Sequence, residues 1–199
     1  MPAVGLASKQ TPHSARDRLL DVALELFSTH GYQAIGLRDL ASELGLHAGS
    51  LYSHIENKQS LLFELIESAL SDLLAGTKQR MRGARTRQDR LHRFIDAFVA
   101  FNLAHKHRLL LVAREFVHLS DDQKLEVDQL KNNYALLLRA IISAECDESS
   151  DLITEAVIGM LYGQFLWRNL SLSEQRLAET LTRFVTGIIA SGKKSMLRA

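Results

Sequence analysis

The sequence predicts an all-α protein, and three observations lead there. Hydrophobic residues make up 46 % of the 199 residues, with leucine and alanine dominant, enough for a substantial core. Only two prolines occur, and long stretches run without a proline or glycine to interrupt a helix. Apolar residues recur at three- and four-residue spacing, with no alternating strand pattern, repeat or low-complexity tract.

Taken in order, residues 1–13 have no basic run and no sustained apolar stretch, so they are expected to form a disordered arm rather than a secretory signal. Ser14 is a fitting N-cap for a first helix to about His30. Its apolar face is Leu19, Leu20, Ala23, Leu24, Leu26 and Phe27, and Gly31 stops it. Short helices are predicted over Leu37–Leu44, ended by Gly45, and over Ala48–His54. Asn57 then caps a long helix towards Arg82 that carries Leu61, Leu62, Leu65, Ile66, Ala69, Leu70, Leu73 and Leu74. After a connector around Gly83, helices are predicted over Gln88–His105, Lys106–Leu119, Asp121–Glu145, Ser150–Asn169 and Ser173–Gly192. Ser120, Ser149 or Ser150, and Ser171 or Ser173 supply caps. The total is about nine helices, with a tail at 193–199.

The formal charge of +1 excludes a strongly basic or acidic protein, but the charges are unevenly spread. Lys78, Arg80, Arg82, Arg85, Arg87, Arg90 and Arg93 stand against Asp89 alone, while 145–155 is acidic without a base. The basic stretch reads first as a solvated face and second as a contact for phosphates or an anionic ligand. Cys146 is the single cysteine, which excludes an intrachain disulfide and fits a reducing cytoplasm. No segment reaches the roughly 20 apolar residues of a membrane span, so no membrane partner is expected.

The second and third helices, joined by Gly45-Leu46-His47, have the arithmetic of a helix-turn-helix. Leu40, Ala41 and Leu44 point inward, and Ala41 is small where the next helix crosses closely. Gly45 supplies the backbone conformation of the tight turn. Leu46 and Leu51 are expected to close the small core against Leu20, Ala23 and Phe27. That leaves His47, Ala48, Gly49, Ser50 and Ser53 exposed, small or polar residues able to approach base edges in a major groove. On spacing alone, an ordinary helical hairpin with a glycine turn stays open.

A family resemblance rests on more residues. Arg18 to Phe27 (RLLDVALELF), Gly31-Tyr32, Leu40-Ala41, Gly45-Leu46, Gly49 to His54 (GSLYSH), Asn57-Lys58 and Leu61-Leu62 fall in the order and spacing of the TetR family's N-terminal domain, which they resemble. The resemblance implies that Tyr52, His54 and Lys58 sit on the phosphate backbone. Hydroxyl, imidazole and ammonium are suited to that, Lys58 being in the first turn of the fourth helix. Packing within the small domain is the alternative for Tyr52 and His54. Arg38 is a further phosphate candidate, unless it pairs with Asp39 or Glu43. The family usually has Thr or Ser before the second helix, and polar then basic residues at the start of the third. Here stand Ile35-Gly36 and His47-Ala48, so the operator preference is expected to be idiosyncratic.

Beyond the fourth helix the residues themselves must speak. Ala156, Gly159 and Gly163 form a small-residue stripe that admits a close helix. Leu177, Leu181, Phe184 and Ile188, with Val185 and Ile189, make a face too wide for one core contact. The resemblance implies that these two helices form a four-helix homodimer interface; the plain alternative is intramolecular core. Phe94, Phe98, Phe101, Phe116, Tyr134, Tyr162, Phe165 and Trp167 make the central helices aromatic. Core is the usual role of any one of them, yet Arg114 and His118 lie near, as do Asn102, Asn133 and Gln164, so a mostly apolar ligand pocket is expected. The segment from Leu109 to Leu119 and the run from Gly159 to Trp167 are similar to TetR members answering to acyl-CoA ligands. His105, His107 and His118 lack chelating spacing, so no metal is expected.

The layout expected is a helix-turn-helix domain at 14–56 and a ligand-binding and dimerisation domain at 57–192. The function expected is a cytoplasmic repressor that binds a palindromic operator in double-stranded DNA as a dimer and is released by a small hydrophobic effector. No cofactor is expected. The alternatives are a helical enzyme, for which no nucleophile with a base at motif spacing stands in the sequence, and an adaptor that keeps the fold without binding DNA.

Overall fold

The computed structural model describes residues 14–143, 150–167 and 173–196, and of these the side chains except in 164–167 and 192–196. Among the described residues there are nine α-helices and no strand. They are α1 (Ala15–His30), α2 (Leu37–Leu44), α3 (Ala48–Leu51), α4 (Lys58–Met81), α5 (Arg87–Ala104), α6 (Lys106–Glu115), α7 (Asp121–Ile142), α8 (Ser150–Trp167) and α9 (Glu174–Met196). No helix of the described residues is long and apolar enough to cross a membrane. Two compact units divide between Leu62 and Phe63, inside α4, where the sequence layout has 56 and 57.

The first unit begins with a reciprocal cap. The Ser14 hydroxyl accepts from the Asp17 N–H at 3.0 Å, and the Asp17 carboxylate accepts from the Ser14 N–H at 3.0 Å. Such a cap stabilises a helix by about 1 kcal/mol. Gly31 (φ 87°) ends α1, its N–H donating to the Phe27 carbonyl at 3.0 Å. From α1, Leu19, Ala23 and Phe27 go fully inward, and Leu40 and Ala41 of α2, Leu51 of α3, and Leu61 and Leu62 of α4 are buried as well, with α1 packed on α2 and α2 on α3. Leu46 does not join this core. It is 42 % exposed, because the turn that Gly45 begins carries it outward before α3 starts.

In the second unit α5 packs on α9 and α7, and α7 on α8. The core joins Leu91, Phe94, Ile95 and Phe98 of α5 to Tyr134, Leu138 and Ile141 of α7, Val157 and Leu161 of α8, and Leu177, Leu181, Val185 and Ile189 of α9. The sequence has α6 running to Leu119, but it ends at Glu115 and a 3-10 turn covers Phe116–His118. That tighter turn buries Leu119 and frees Ser120 to cap α7, accepting from the Gln123 N–H at 3.2 Å. α7 stops at Ile142, short of the expected Glu145; Cys146 lies outside the described residues.

Candidate nucleic-acid interface and ligand cavity

Gly45 adopts the left-handed conformation (φ 67°, ψ 30°), and the turn is closed by Leu46 N–H donating to the Ala41 carbonyl at 2.8 Å. The third helix is shorter than expected. α3 ends at Leu51, and Tyr52 to His54 continue as a turn in which His54 N–H donates to the Leu51 carbonyl at 2.8 Å. His47 occupies the N-cap of α3, but its imidazole makes no capping bond and is exposed. Gly49, Ser50 and Ser53 are exposed, and Ala48 and His54 half-buried. The Ser53 hydroxyl donates to the Ser50 carbonyl at 2.7 Å. Tyr52 is 62 % exposed, which removes packing as its role. Arg38 is exposed on α2, and its neighbour Asp39 is engaged by the Gly36 N–H at 2.7 Å. Gly36 therefore caps α2 without a hydroxyl, and the carboxylate from the third helical position compensates.

Lys58 has partners within the first unit that the sequence does not show. Its ammonium donates to the carbonyls of Tyr32 and Ile35, both at 2.8 Å, and lies 4.0 Å from the centroid of the Tyr32 ring. Half-buried there, it braces the turn that leads from α1 into α2. The Tyr32 ring is fixed in turn by an edge contact with Phe27 at 5.3 Å.

The second unit holds a cavity of about 380 Å³ between α6, the 3-10 turn, α7 and α8. Val112, Ala113, Phe116, Asn132, Ala135, Ile158, Tyr134 and Tyr162 line it, with Asp128, Lys131 and Glu155 as its charged wall. Of the expected pocket residues, Tyr134 and Tyr162 are in the wall. Phe94 and Phe98 are fully buried core residues standing behind them, with ring centroids 4.9 Å from Tyr134 and 5.2 Å from Tyr162. Phe101, Arg114 and His118 lie outside the wall. Phe101 packs beside His105 and Arg108, Arg114 is exposed, and His118 Nε2 is 3.4 Å from Glu115. The side chains of Phe165 and Trp167 are outside the described residues. Phe116, one of the central aromatic residues of the sequence, is in the wall, whereas Val112 carried no signal, because helical spacing recognises an apolar face but not which of its residues is outermost. Burial pushes the Tyr162 phenol up to about 12 and raises that of Tyr134 as well.

Arg108 of α6 reaches α4 within this unit: Nη2 donates to Asp72 Oδ2 at 2.8 Å and to Ser68 Oγ at 3.0 Å. In the basic stretch, Arg80 pairs with Asp96 at 2.7 Å and Arg93 with Asp89 at 2.7 Å. The Arg93 guanidinium holds the Asp89 carboxyl below its usual range. Lys78, Arg82 and Arg90 face an open groove of about 370 Å³. No group of three or more His, Cys, Asp or Glu among the described residues is placed to hold a metal.

The residues expected at a dimer interface split in two. Leu177 and Leu181 are 4 % and 1 % exposed, because α9 turns that half of its broad apolar face onto α5. Ala156 and Gly159 are exposed, Gly163 and Ile188 half-buried, and Phe184 is 55 % exposed. Leu152, one turn before Ala156, is 75 % exposed, and a Cβ at Gly159, Gly163 or Gly187 would meet nothing within 4 Å.

Comparison with known proteins accounts for both units. Residues 19–65 match the family described as "Bacterial regulatory proteins, tetR family", and residues 84–189 match "Tetracyclin repressor-like, C-terminal domain". The chain is 29 % identical over 123 residues to the HTH-type transcriptional repressor KstR2 of Mycolicibacterium smegmatis, a match covering 61 % of this chain and 59 % of that protein. Its matches to the first such relatives span less than two thirds of their length. Among solved structures, the TetR family regulator PfmR of Thermus thermophilus aligns with a TM-score of 0.75 at 26 % identity, over 88 % of this chain and 96 % of that one. AibR, solved in complex with isovaleryl coenzyme A and operator DNA, shares the fold with a TM-score of 0.76 at 17 % identity, over 85 % and 96 %. With its helix-turn-helix and the greater part of its second unit both matched, the chain belongs to the TetR family of bacterial regulatory proteins.

Proposed function

We propose that the protein is a cytoplasmic transcriptional repressor that binds a palindromic operator as a homodimer and releases it when a small, mostly apolar or acyl-type ligand enters the cavity of the second unit. The observation that carries this reading is the edge formed by His47, Gly49, Ser50, Tyr52 and Ser53. It stands exposed on a filled helical scaffold, where side chains suit base edges and phosphates rather than turnover. The repressor relative KstR2 and the ligand and operator seen with AibR support both halves. Leu152, Ala156, Gly159, Phe184 and Gly187 offer an apolar, small-residue face for the second copy.

Control would run through α4. Val112 and Ala113 of α6 line the cavity, and Arg108 of the same helix holds Asp72 and Ser68 of α4. α4 begins at Lys58, in the first unit. A ligand that shifts α6 therefore acts on the helix that enters the DNA-binding unit, and it releases DNA to the extent that it prefers that shifted state.

Selection of bound DNA from a random pool tests the reading. The expected product is a palindrome whose half-sites lie about 34–36 Å apart, one turn of the duplex, or a multiple of it. Enrichment of a single asymmetric site would remove the dimer, and no enrichment at all would leave an adaptor with a retained fold.

A further inference from the structure

Among the described residues, two hydroxyls of the second unit are buried without a hydrogen-bond partner: Tyr134 Oη and Thr77 Oγ1, in residues 3 % and 1 % exposed. Thr77 is the hydrogen-bonding neighbour of the Tyr134 hydroxyl, but the pair falls short of full hydrogen-bond geometry, so each oxygen keeps bonding capacity to spare. The Tyr162 phenol is within electrostatic reach of Tyr134. Native interiors rarely leave such groups unpaired, since each forfeits its bonds to water and gains none in return. These two are clustered, and both tyrosines belong to the wall of the cavity.

We propose that Tyr134 and Tyr162, with Thr77 behind them, form a hydroxyl subsite that takes the neutral carbonyl oxygen of a mostly apolar ligand. This rests on the cavity being the effector pocket. A carbonyl oxygen accepts two hydrogen bonds, one from each phenol, and Thr77 can donate to Tyr134 in a short chain that strengthens both links. Phenols are protonated at neutral pH, and burial only reinforces this, so both are available as donors. A carboxylate is disfavoured. The charged wall holds Asp128 and Glu155 against Lys131, whose ammonium is 3.1 Å from Asp128 and 3.4 Å from the Phe116 ring centroid. An anion entering there would meet two exposed carboxylates of its own sign, with the wall's lysine already engaged by one of them. The subsite thus selects an ester, thioester or ketone on a hydrocarbon body.

The probes are methyl decanoate, decanoate and n-decane, titrated calorimetrically into the full chain, with thermal unfolding as a second readout. Tyr134→Phe and Tyr162→Phe keep the rings against Phe94 and Phe98 and remove only oxygen. Each is expected to weaken methyl decanoate about three- to tenfold, the size of one hydrogen bond, and to leave decane unchanged. Decanoate is expected to bind the unsubstituted protein more weakly than its ester. Tyr134→Phe should also raise the ligand-free Tm, because it deletes an unsatisfied group. Equal ester affinity in all three proteins, tighter binding of decanoate than of ester, or a lower Tm for Tyr134→Phe would overturn the subsite and leave the cavity as effector pocket. Failure of all three probes to bind the unsubstituted protein would overturn the pocket and the subsite with it.

Discussion

In the first unit Leu19, Ala23, Phe27, Leu40 and Leu51 are each 1 % exposed or less, and the partly buried Lys58 finds two carbonyls and a ring. In the second, Tyr134 and Thr77 bury hydroxyls with no partner, beside a cavity of about 380 Å³. The contrast fits the tasks proposed for the two units. An edge that is to read a rigid duplex needs side chains held in fixed positions, so the interior beneath it is filled. A unit that takes in a small molecule keeps room and unmet hydrogen bonds for it.

The largest effect expected from this contrast is at two phenylalanines. Phe27→Ala removes a fully buried ring from a filled interior and should destabilise by about 3–5 kcal/mol in denaturant unfolding. Phe116 is half-buried in the wall of a void that already exists, so Phe116→Ala should cost only about 1 kcal/mol, including its contact with Lys131. Equal losses would mean that the first unit is no better filled than the second.

Lys58 comes next. Lys58→Gln leaves two carbonyls without a charged donor and should cost about 1–3 kcal/mol. DNA binding should weaken through the loosened turn before α2, while the dependence of log K on log salt keeps its slope. A slope smaller by about one would return Lys58 to the phosphates.

How much of this was legible in the sequence depends on whether a residue's role is set by its own helix or by its neighbours. Caps, glycine stops and helical spacing are local, and Ser14, Gly31 and Gly45 act as their types imply. Thr77 escapes that reading although, four residues after Leu73, it falls on the apolar face of α4 and is buried. The role of Lys58 was not legible, because its partners at Tyr32 and Ile35 are brought to it by the fold of the turn. Nor was the division of the α9 face. Leu181 and Phe184 are three residues apart on one apolar stripe, and only the packing of α5 decides that the first is buried and the second exposed.

Gly45→Ala tests the reading edge at its turn. A Cβ there meets no atom within 4 Å, so the cost is conformational alone, about 1–2 kcal/mol for a left-handed L-residue. Binding should fall by no more than stability does; a loss of DNA binding at unchanged Tm would show that the turn itself touches DNA.

The smallest effect expected is at Gly36, where the family's usual hydroxyl is missing and Asp39 alone engages the Gly36 N–H. Gly36 has φ −96°, open to any residue, and a Cβ would stand 3.3 Å from Asp39 Oδ2. That oxygen ends a flexible side chain and can yield by a few tenths of an ångström. Gly36→Ser would then complete the reciprocal cap already present at Ser14 and Asp17, with the new hydroxyl accepting from the Asp39 N–H. The gain in stability should be only a few tenths of a kcal/mol, since glycine is itself a tolerable N-cap. DNA affinity separates two accounts of the missing hydroxyl. If it rises with the selected operator unchanged, the hydroxyl has added an anchor to phosphate. If it falls while Tm rises, the Asp39 carboxylate has been displaced from a position on which the geometry of α2 depends, and the glycine is a fitted part of this edge.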